Sequence, residues 1–179
     1  PKKSGVTPEQ EHIEMLYPTV LVRLAQGSGS GTVIYSELNE EQEYESYVLT
    51  NYHVIQNSVK ITKVWSSEKN EHVETENRRP VNIDLWEYNN FSTAIGTMGR
   101  IADIVAYDKS RDLALLRVKD RERQMSYVAT LYPEGLDEGP WIFQTVYAVG
   151  AGLGKPPFPT MGLLAGYSRD QDGNELYLS

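Results

Sequence analysis

The chain has 179 residues, no cysteine and a formal net charge of −8 at pH 7. Without cysteine, the chain can form no disulfide framework, no thiolate zinc site and no cysteine nucleophile. The acidic balance disfavours a nucleic-acid backbone as the main partner, and no apolar run approaches the ~18 residues of a membrane-spanning helix.

The first part of the chain predicts a short helix followed by two strands. A threonine N-cap followed by Pro8 at the first helical position begins the helix, and Pro18 stops it. Segments 19–24 and 31–35 are predicted strands because β-branched residues dominate them. The glycines of segment 27–31 allow a tight or positive-φ turn between these strands at little steric cost.

The middle of the chain predicts several further strands. The strand that begins at Tyr47 ends by presenting His53 beside small and polar neighbours. Segment 59–65 alternates and predicts a half-buried strand, whereas the uniformly polar segment 66–79 predicts a surface loop. Further strands are predicted over 81–85, 99–107 and 113–118. Five apolar residues on the strands around His53 are expected to be largely buried: Val48, Val54, Leu113, Leu115 and Val118.

The last third of the chain predicts a second set of strands. Segment 119–126 is densely charged and is interpreted as a connector between two lobes. Strands are predicted over 128–131, 141–150 and 161–167, with a proline-rich loop before the last. Short strands, a turn signal about every eight to twelve residues and little helical periodicity predict an all-β protein made of two barrels.

Three motifs occur in an order that resembles the trypsin-like serine peptidases. Residues 27–34 read Gly-Ser-Gly-Ser-Gly-Thr-Val-Ile, residues 49–54 read Leu-Thr-Asn-Tyr-His-Val, and residues 112–116 read Asp-Leu-Ala-Leu-Leu. Together they look closest to the HtrA (Deg) branch of that superfamily, over roughly residues 15 to 170. The resemblance implies an all-β, chymotrypsin-like double β-barrel with an incomplete second barrel and a short N-terminal helix. It divides the chain into an N-terminal extension (1–18), a first barrel lobe (19–120) and a partial second lobe (121–179).

The resemblance assigns catalytic roles to His53 and Asp112. A hydroxyl nucleophile needs a base near neutral pH, and that base needs a carboxylate that fixes its tautomer and stabilises the imidazolium. His53 would be this general base and Asp112 its orienting carboxylate, within hydrogen-bond reach at about 2.6–3.2 Å. Asp84, Asp103 and Asp108 compete with Asp112, but only Asp112 is followed directly by Leu-Ala-Leu-Leu; Asp108 is expected to shape its own turn. The remaining histidines, at 12 and 72, have polar surroundings and are interpreted as solvated.

The nucleophile is the member of the triad that the sequence does not supply. The resemblance requires a Gly-Asn-Ser-Gly-Gly or Gly-Asp-Ser-Gly-Gly segment, and neither occurs here. Ser168 lies between tyrosine and arginine, and Ser179 is the last residue, so neither has the flanking glycines and amides of an oxyanion hole. The chain is therefore expected to stop just before the serine.

The sequence thus predicts a serine-type endopeptidase that acts on polypeptides and needs no cofactor or metal. A glycine-rich run at 150–155 lacks the spacing of a phosphate loop, and the scattered histidines form no metal-ligand pattern. The alternative is a catalytically inactive, peptidase-like barrel that binds peptides or serves a structural role. A third interpretation is a ligand-binding β-barrel in which the His and Asp are coincidental. The peptidase interpretation allows two kinds of association: a homo-oligomer, or binding to a C-terminal fragment that bears the serine. The family resemblance favours an extracytoplasmic location.

Overall fold

The computed structural model describes residues 7–132, 140–169 and 175–178 of the chain. Strands dominate it, and the helices are short. Within the described residues, none of the helices combines the length and the apolarity needed to cross a membrane. The predicted all-β fold with a short N-terminal helix is confirmed.

Six antiparallel strands close into a barrel. Their order around the barrel is β1, β2, β3, β8, β7, β6, and β6 pairs with β1 to close it. The strands are β1 (Thr19–Leu24), β2 (Gly27–Leu38), β3 (Tyr44–Thr50), β6 (Val81–Asn89), β7 (Thr93–Asp108) and β8 (Leu113–Asp120). Closure leaves no unpaired edge, and the inward side chains form one core. The largest fully buried members of this core are Val20, Val22, Val33, Val48, Ile55, Ile83, Leu116 and Val118.

The other strands form three separate two-stranded sheets. They are β4 (Val59–Ser66) with β5 (Glu71–Arg78), β9 (Thr145–Gly150) with β10 (Phe158–Leu163), and β11 (Gly166–Arg169) with β12 (Glu175–Leu178). The described strands after Asp120 therefore do not close a second barrel. The lobe boundaries given above stay a prediction.

The helices are α1 (Pro8–Glu11), which continues as a π-helical turn over His12–Leu16, and α2 (Tyr52–Ile55), which continues as a 3₁₀ turn over Gln56–Ser58. A further 3₁₀ turn covers Gly152–Gly154. The predicted cap of α1 is present as a full capping box, in which Thr7 and Gln10 satisfy each other's backbone N–H groups.

The glycine-rich run is strand and not a turn, which corrects the sequence prediction. Gly27 pairs with Leu24 at the start of β2, and Ala25 and Gln26 form the turn. Among the described glycines, only Gly154 has a positive φ. The glycines are needed for close packing: a Cβ on Gly29 would lie 2.5 Å from Val54 Cγ2, and one on Gly31 would lie 2.7 Å from Val48 Cγ1.

The burial pattern along β8 corrects the prediction of which of its residues lie in the core. Ala114, Leu116 and Val118 face inward, whereas Leu113 is exposed and Leu115 is half-buried. Val48 and Val118 are buried as predicted, and Val54 is half-buried. The continuous apolar run suggested a strand buried on both faces. In a barrel with a core on one face only, alternate residues of that run point outward.

Five predicted segments differ from the structure. The predicted loop 66–79 contains β5, which pairs with β4, so the charged residues form a solvated hairpin. Most of β4 is exposed instead of half-buried, because this hairpin stands outside the barrel. Residues 128–131 form no strand; Ala129 N–H makes a single backbone bond to Val33 O (2.8 Å). The strand predicted over 141–150 begins only at Thr145, and the one over 161–167 is split between β10 and β11.

Candidate active site

His53 lies on α2, directly after β3. β3 ends at Thr50, Asn51 is extended (φ −85°, ψ 147°), and the chain then turns into the four residues of α2. β3 pairs with β8 through Thr50 and Ala114, so the residues just before β8 lie beside the residues just after β3. This pairing brings Asp112 next to His53 although the two are distant in sequence.

The predicted contact between His53 and Asp112 is present. His53 Nδ1 lies 2.6 Å from Asp112 Oδ2, and the His53 backbone N–H donates to Asp112 Oδ1 at 2.8 Å. Both carboxylate oxygens are therefore used by one residue. An ionised carboxylate only accepts hydrogen bonds, so Nδ1 carries a hydrogen, and in the neutral imidazole Nε2 keeps its lone pair.

The backbone of Asp112 is held by the residues that precede His53. Asn51 Nδ2 donates to the Asp112 carbonyl oxygen at 3.0 Å, and the Tyr52 backbone N–H donates to the same oxygen at 3.1 Å. Asp112 has a φ of 52°, in the left-handed region where aspartate is one of the better tolerated residues. Asn51 lies within the motif that contains His53, but the sequence pattern alone predicts no role for it.

Hydrogen bonding lowers the pKa of the Asp112 carboxyl below its ordinary value. The largest cause is the backbone N–H of His53, followed by the His53 side chain, and both stabilise the charged form. Asp112 therefore stays ionised at neutral pH and can hold the imidazole in one tautomer.

Close packing between β2 and α2 positions His53. Gly29 lies against Val54, the residue after His53, with no room for a side chain. Thr50 Oγ1 donates to Ser30 O at 2.7 Å and ties the end of β3 to the same glycine-rich strand. The glycine-rich run thus helps to position His53 through packing contacts with the segment that carries it.

An aromatic and charged cluster connects this segment to the β4–β5 hairpin. The rings of Tyr52 and Tyr107 have centroids 5.1 Å apart, and the Tyr107 hydroxyl donates to Glu76 Oε2 at 2.9 Å. Arg78 pairs with Glu76, and its guanidinium lies 5.1 Å from the Tyr107 ring centroid. Lys109, in the turn before Asp112, lies 5.6 Å from the Tyr52 ring centroid. The hairpin is therefore anchored beside both residues of the pair.

The other residues considered from sequence lie elsewhere. Ser168 is exposed on β11, and Ser179 is outside the described residues. Within the described part of the chain, the His53 ring hydrogen-bonds only to Asp112. His12 is half-buried, whereas a solvated side chain was expected: its Nε2 lies 2.7 Å from Ser92 Oγ, and its ring packs against Tyr17 and Phe91. Across the described ranges, no group of three or more histidine or acidic residues is arranged to hold a metal ion.

Comparison with known proteins identifies the family of this chain. The family described as the trypsin-like peptidase domain matches residues 29–178, which is most of the chain. The chain belongs to the trypsin-like peptidase domain family. No curated protein matches it in sequence.

Its fold is similar to that of Deg5, whose crystal structure superposes with a TM-score of 0.58 and 19% sequence identity, covering 94% of this chain and 69% of the other. The predicted resemblance to trypsin-like serine peptidases is confirmed, as is the double-barrel fold with an incomplete second barrel. The solved structure also carries the name of the predicted Deg branch.

Proposed function

We propose that this chain is the greater part of an HtrA-like serine endopeptidase domain that cleaves polypeptides by acyl transfer. The observation that carries this proposal is the pairing of His53 with both carboxylate oxygens of Asp112. Family membership supports a peptidase and leaves open which residues act.

In the proposed reaction, His53 Nε2 takes the proton of a serine hydroxyl as the serine oxygen attacks the scissile carbonyl carbon. The Asp112 carboxylate stabilises the imidazolium that forms and keeps Nδ1–H directed away from the substrate. The imidazolium then gives its proton to the leaving amine, and water hydrolyses the acyl-enzyme by the same route. This chemistry uses side chains and backbone amides only, so the proposal includes no cofactor or metal.

We place the nucleophilic serine outside these 179 residues, because no Gly-Asn-Ser-Gly-Gly or Gly-Asp-Ser-Gly-Gly segment occurs among them. It would come from a longer form of the polypeptide or from a second chain that packs on the second lobe. Apolar side chains of the β9–β10 sheet support such packing, since they are largely exposed: Tyr147 (45%), Phe158 (52%), Met161 (72%) and Leu163 (52%).

The test compares the 179-residue chain with a longer polypeptide that includes a Gly-x-Ser-Gly-Gly segment. We expect no peptide hydrolysis from the shorter chain, since the loss of one oxyanion donor alone typically costs about 100- to 1,000-fold. The longer polypeptide should cleave an unfolded protein substrate and lose this activity on treatment with a phosphonofluoridate, which modifies activated serine.

Two variants of the longer polypeptide assign the roles. His53→Ala should abolish turnover, and Asp112→Asn should lower kcat on the order of ten-thousand-fold through the wrong tautomer. His72→Ala and Asp103→Asn are matched controls, because both residues lie outside the His53–Asp112 pair. Reagent-sensitive cleavage by the 179-residue chain alone would contradict the assignment of the nucleophile.

The absence of the serine segment from the sequence favours a second candidate, a non-catalytic peptidase-like barrel that binds peptides or has a structural role. A full-length protein of this kind would bind peptides and neither cleave them nor react with the phosphonofluoridate.

The proposal extends to organisation and location. The lobes would comprise residues 19–120 and 121–179, after an extension over residues 1–18. The partners would be polypeptide substrates, further copies of the chain or the serine-bearing segment, and no nucleic acid. An extracytoplasmic location follows from the HtrA-like assignment.

A further inference from the structure

A cavity of about 390 Å³ lies beside the segment that carries His53. Three segments line it: 23–26 at the β1–β2 turn, 57–58 after α2, and 79–82 at the start of β6. We call it the Arg79 pocket. Its volume is within the range of small ligand-binding sites, about 300–1,000 Å³.

Two arginines line this pocket, and only one is neutralised. Arg23 forms a two-point ion pair with Asp84, with Nε–Oδ2 and Nη2–Oδ1 distances of 3.0 Å each. Arg79 pairs with no carboxylate in the described ranges of the chain. Its guanidinium makes one hydrogen bond, from Nη2 to Asn57 O at 2.8 Å. Among the described residues that line the pocket, none is an aspartate or a glutamate.

The position of Arg79 is well defined by its contacts. Its backbone N–H donates to Ser58 O at 2.8 Å, so both ends of the residue are tied to the turn that follows α2. The other N–H groups of its guanidinium bind no described residue and can therefore bind an acceptor. A planar guanidinium with free N–H groups is the preferred protein partner of a carboxylate. The amide side chains of Gln26 and Asn82, also in the lining, add neutral donors.

Two segments connect the pocket to the candidate active site. Asn57 and Ser58 follow directly from the short helix that carries His53. Gln26 belongs to the same β1–β2 hairpin as Gly29, which packs on Val54. Chain connectivity after α2 and the packing of Gly29 on Val54 therefore link the pocket to His53.

We propose that the Arg79 pocket is a substrate subsite that binds the carboxylate of an acidic side chain, with Arg79 as the specificity-determining residue. The inference rests on the proposed function, since it takes the ligand to be the polypeptide substrate. The chain as a whole is acidic, with a net charge of −8, whereas the unpaired Arg79 guanidinium makes the charge of the pocket locally positive.

The experiment is an NMR titration of the ¹⁵N-labelled 179-residue chain with three pentapeptides. The first is Ala-Ala-Glu-Ala-Ala blocked at both ends, the second has Gln in place of Glu, and the third is penta-alanine with a free C-terminal carboxylate. We expect the Glu peptide to shift the amide signals of Asn57, Ser58, Arg79, Val81 and Asn82. It should bind about two- to fivefold more tightly than the Gln peptide, the usual gain from an ion pair made by an exposed arginine.

Arg79→Gln should remove this preference for Glu over Gln. Arg121→Gln should leave it intact, because Arg121 is exposed and pairs with Glu43 at the other end of the β2–β3 hairpin. Arg79→Lys keeps the charge and loses the fork geometry, so an intermediate preference is expected. The amide spectrum of each variant reports whether it is folded, and the shift mapping on the unaltered chain needs no variant.

Equal binding of the Glu and Gln peptides, or shifts confined to other residues, would overturn the inference. Tight binding of penta-alanine alone would also overturn it, because the pocket would then recognise chain termini and not acidic side chains. None of these results requires turnover. A longer polypeptide that never cleaves would contradict the proposed function alone, whereas an active one with unchanged Glu/Gln selectivity after Arg79→Gln would contradict the subsite alone.

Discussion

Asp108 and Asp112 flank the same turn and have different hydrogen-bond partners. Asp108 Oδ1 accepts hydrogen bonds from the Ser110 and Arg111 backbone N–H groups, within its own turn. Asp112 instead accepts from the backbone and the ring of His53, on another segment. The predicted turn-shaping contacts of Asp108 are present. The backbone of Asp112 is in the left-handed region (φ 52°), at the point where the turn leads into β8.

The lowered pKa of Asp112 predicts a pH-dependent contribution to stability. A depressed folded-state pKa stabilises the fold above the unfolded value, about 3.9 for aspartate, and the contribution disappears as pH falls through the folded value. Asp112→Asn tolerates the same backbone conformation but removes the charge. Urea denaturation across a pH series should show a constant difference in unfolding free energy between the two proteins above about pH 5 and a shrinking one below about pH 4. A difference that is constant down to the acid unfolding of the parent chain would contradict this assignment.

At the scale of elements, the packing of β2 on α2 explains the glycine-rich run. β2 continues through its glycines with regular pairing to β1, so nothing in the backbone conformation requires glycine there. The requirement comes from the neighbours, because Val54 and Val48 occupy the space where side chains of Gly29 and Gly31 would lie.

Gly29→Ala is expected to displace α2 and to destabilise the fold by about 1–3 kcal/mol, the usual cost of overpacking. The new Cβ would lie 2.5 Å from Val54 Cγ2, and valine has little rotamer freedom to move aside. Gly27→Ala is the matched control, since a Cβ there meets nothing within 4 Å, and its effect should stay within about 0.5 kcal/mol. Denaturant titrations measure both variants, and Val54→Ala should recover part of the Gly29→Ala loss. Equal effects at the two glycines would contradict the packing explanation.

At the scale of the whole molecule, Ser30 connects the barrel to the chain that follows it. Its side-chain oxygen accepts a hydrogen bond from the Ala151 N–H at 2.8 Å, at the end of β9. Ala151 is fully buried, and a Cβ on Gly150 would lie 3.1 Å from Ser30 Oγ. The backbone carbonyl oxygen of Ser30 also accepts a hydrogen bond from Thr50 Oγ1. Ser30 therefore joins β9, β2 and the end of β3.

Ser30→Ala should loosen this connection. It leaves the buried Ala151 N–H without its acceptor, which typically costs about 1–3 kcal/mol. Hydrogen exchange followed by NMR should show faster exchange of the Ala151 amide, with smaller changes in the barrel strands. Ser28→Ala, at an exposed position on the same strand, should leave the exchange rate unchanged. Unchanged protection of Ala151 in Ser30→Ala would contradict the predicted connection.

The sequence by itself determined the features that depend on local patterns. The capping box of α1 and most strands of the barrel follow from short-range residue preferences. His53 and Asp112 were identified as candidates because each lies in a recognisable motif at the boundary of a strand. Their contact required only that these two strands pair, as they do in the barrel.

Tertiary structure alone decided burial and charge pairing. Leu116 and not Leu115 lies in the core, because only one face of β8 meets the barrel interior. The glycines of β2 are constrained by Val54 and Val48, which come from other segments. Arg23 finds its carboxylate on β6, whereas Arg79 finds a carbonyl oxygen of the turn after α2. Burial and charge compensation depend on which distant segments pack together, and the sequence of one segment does not show which other segments it will contact.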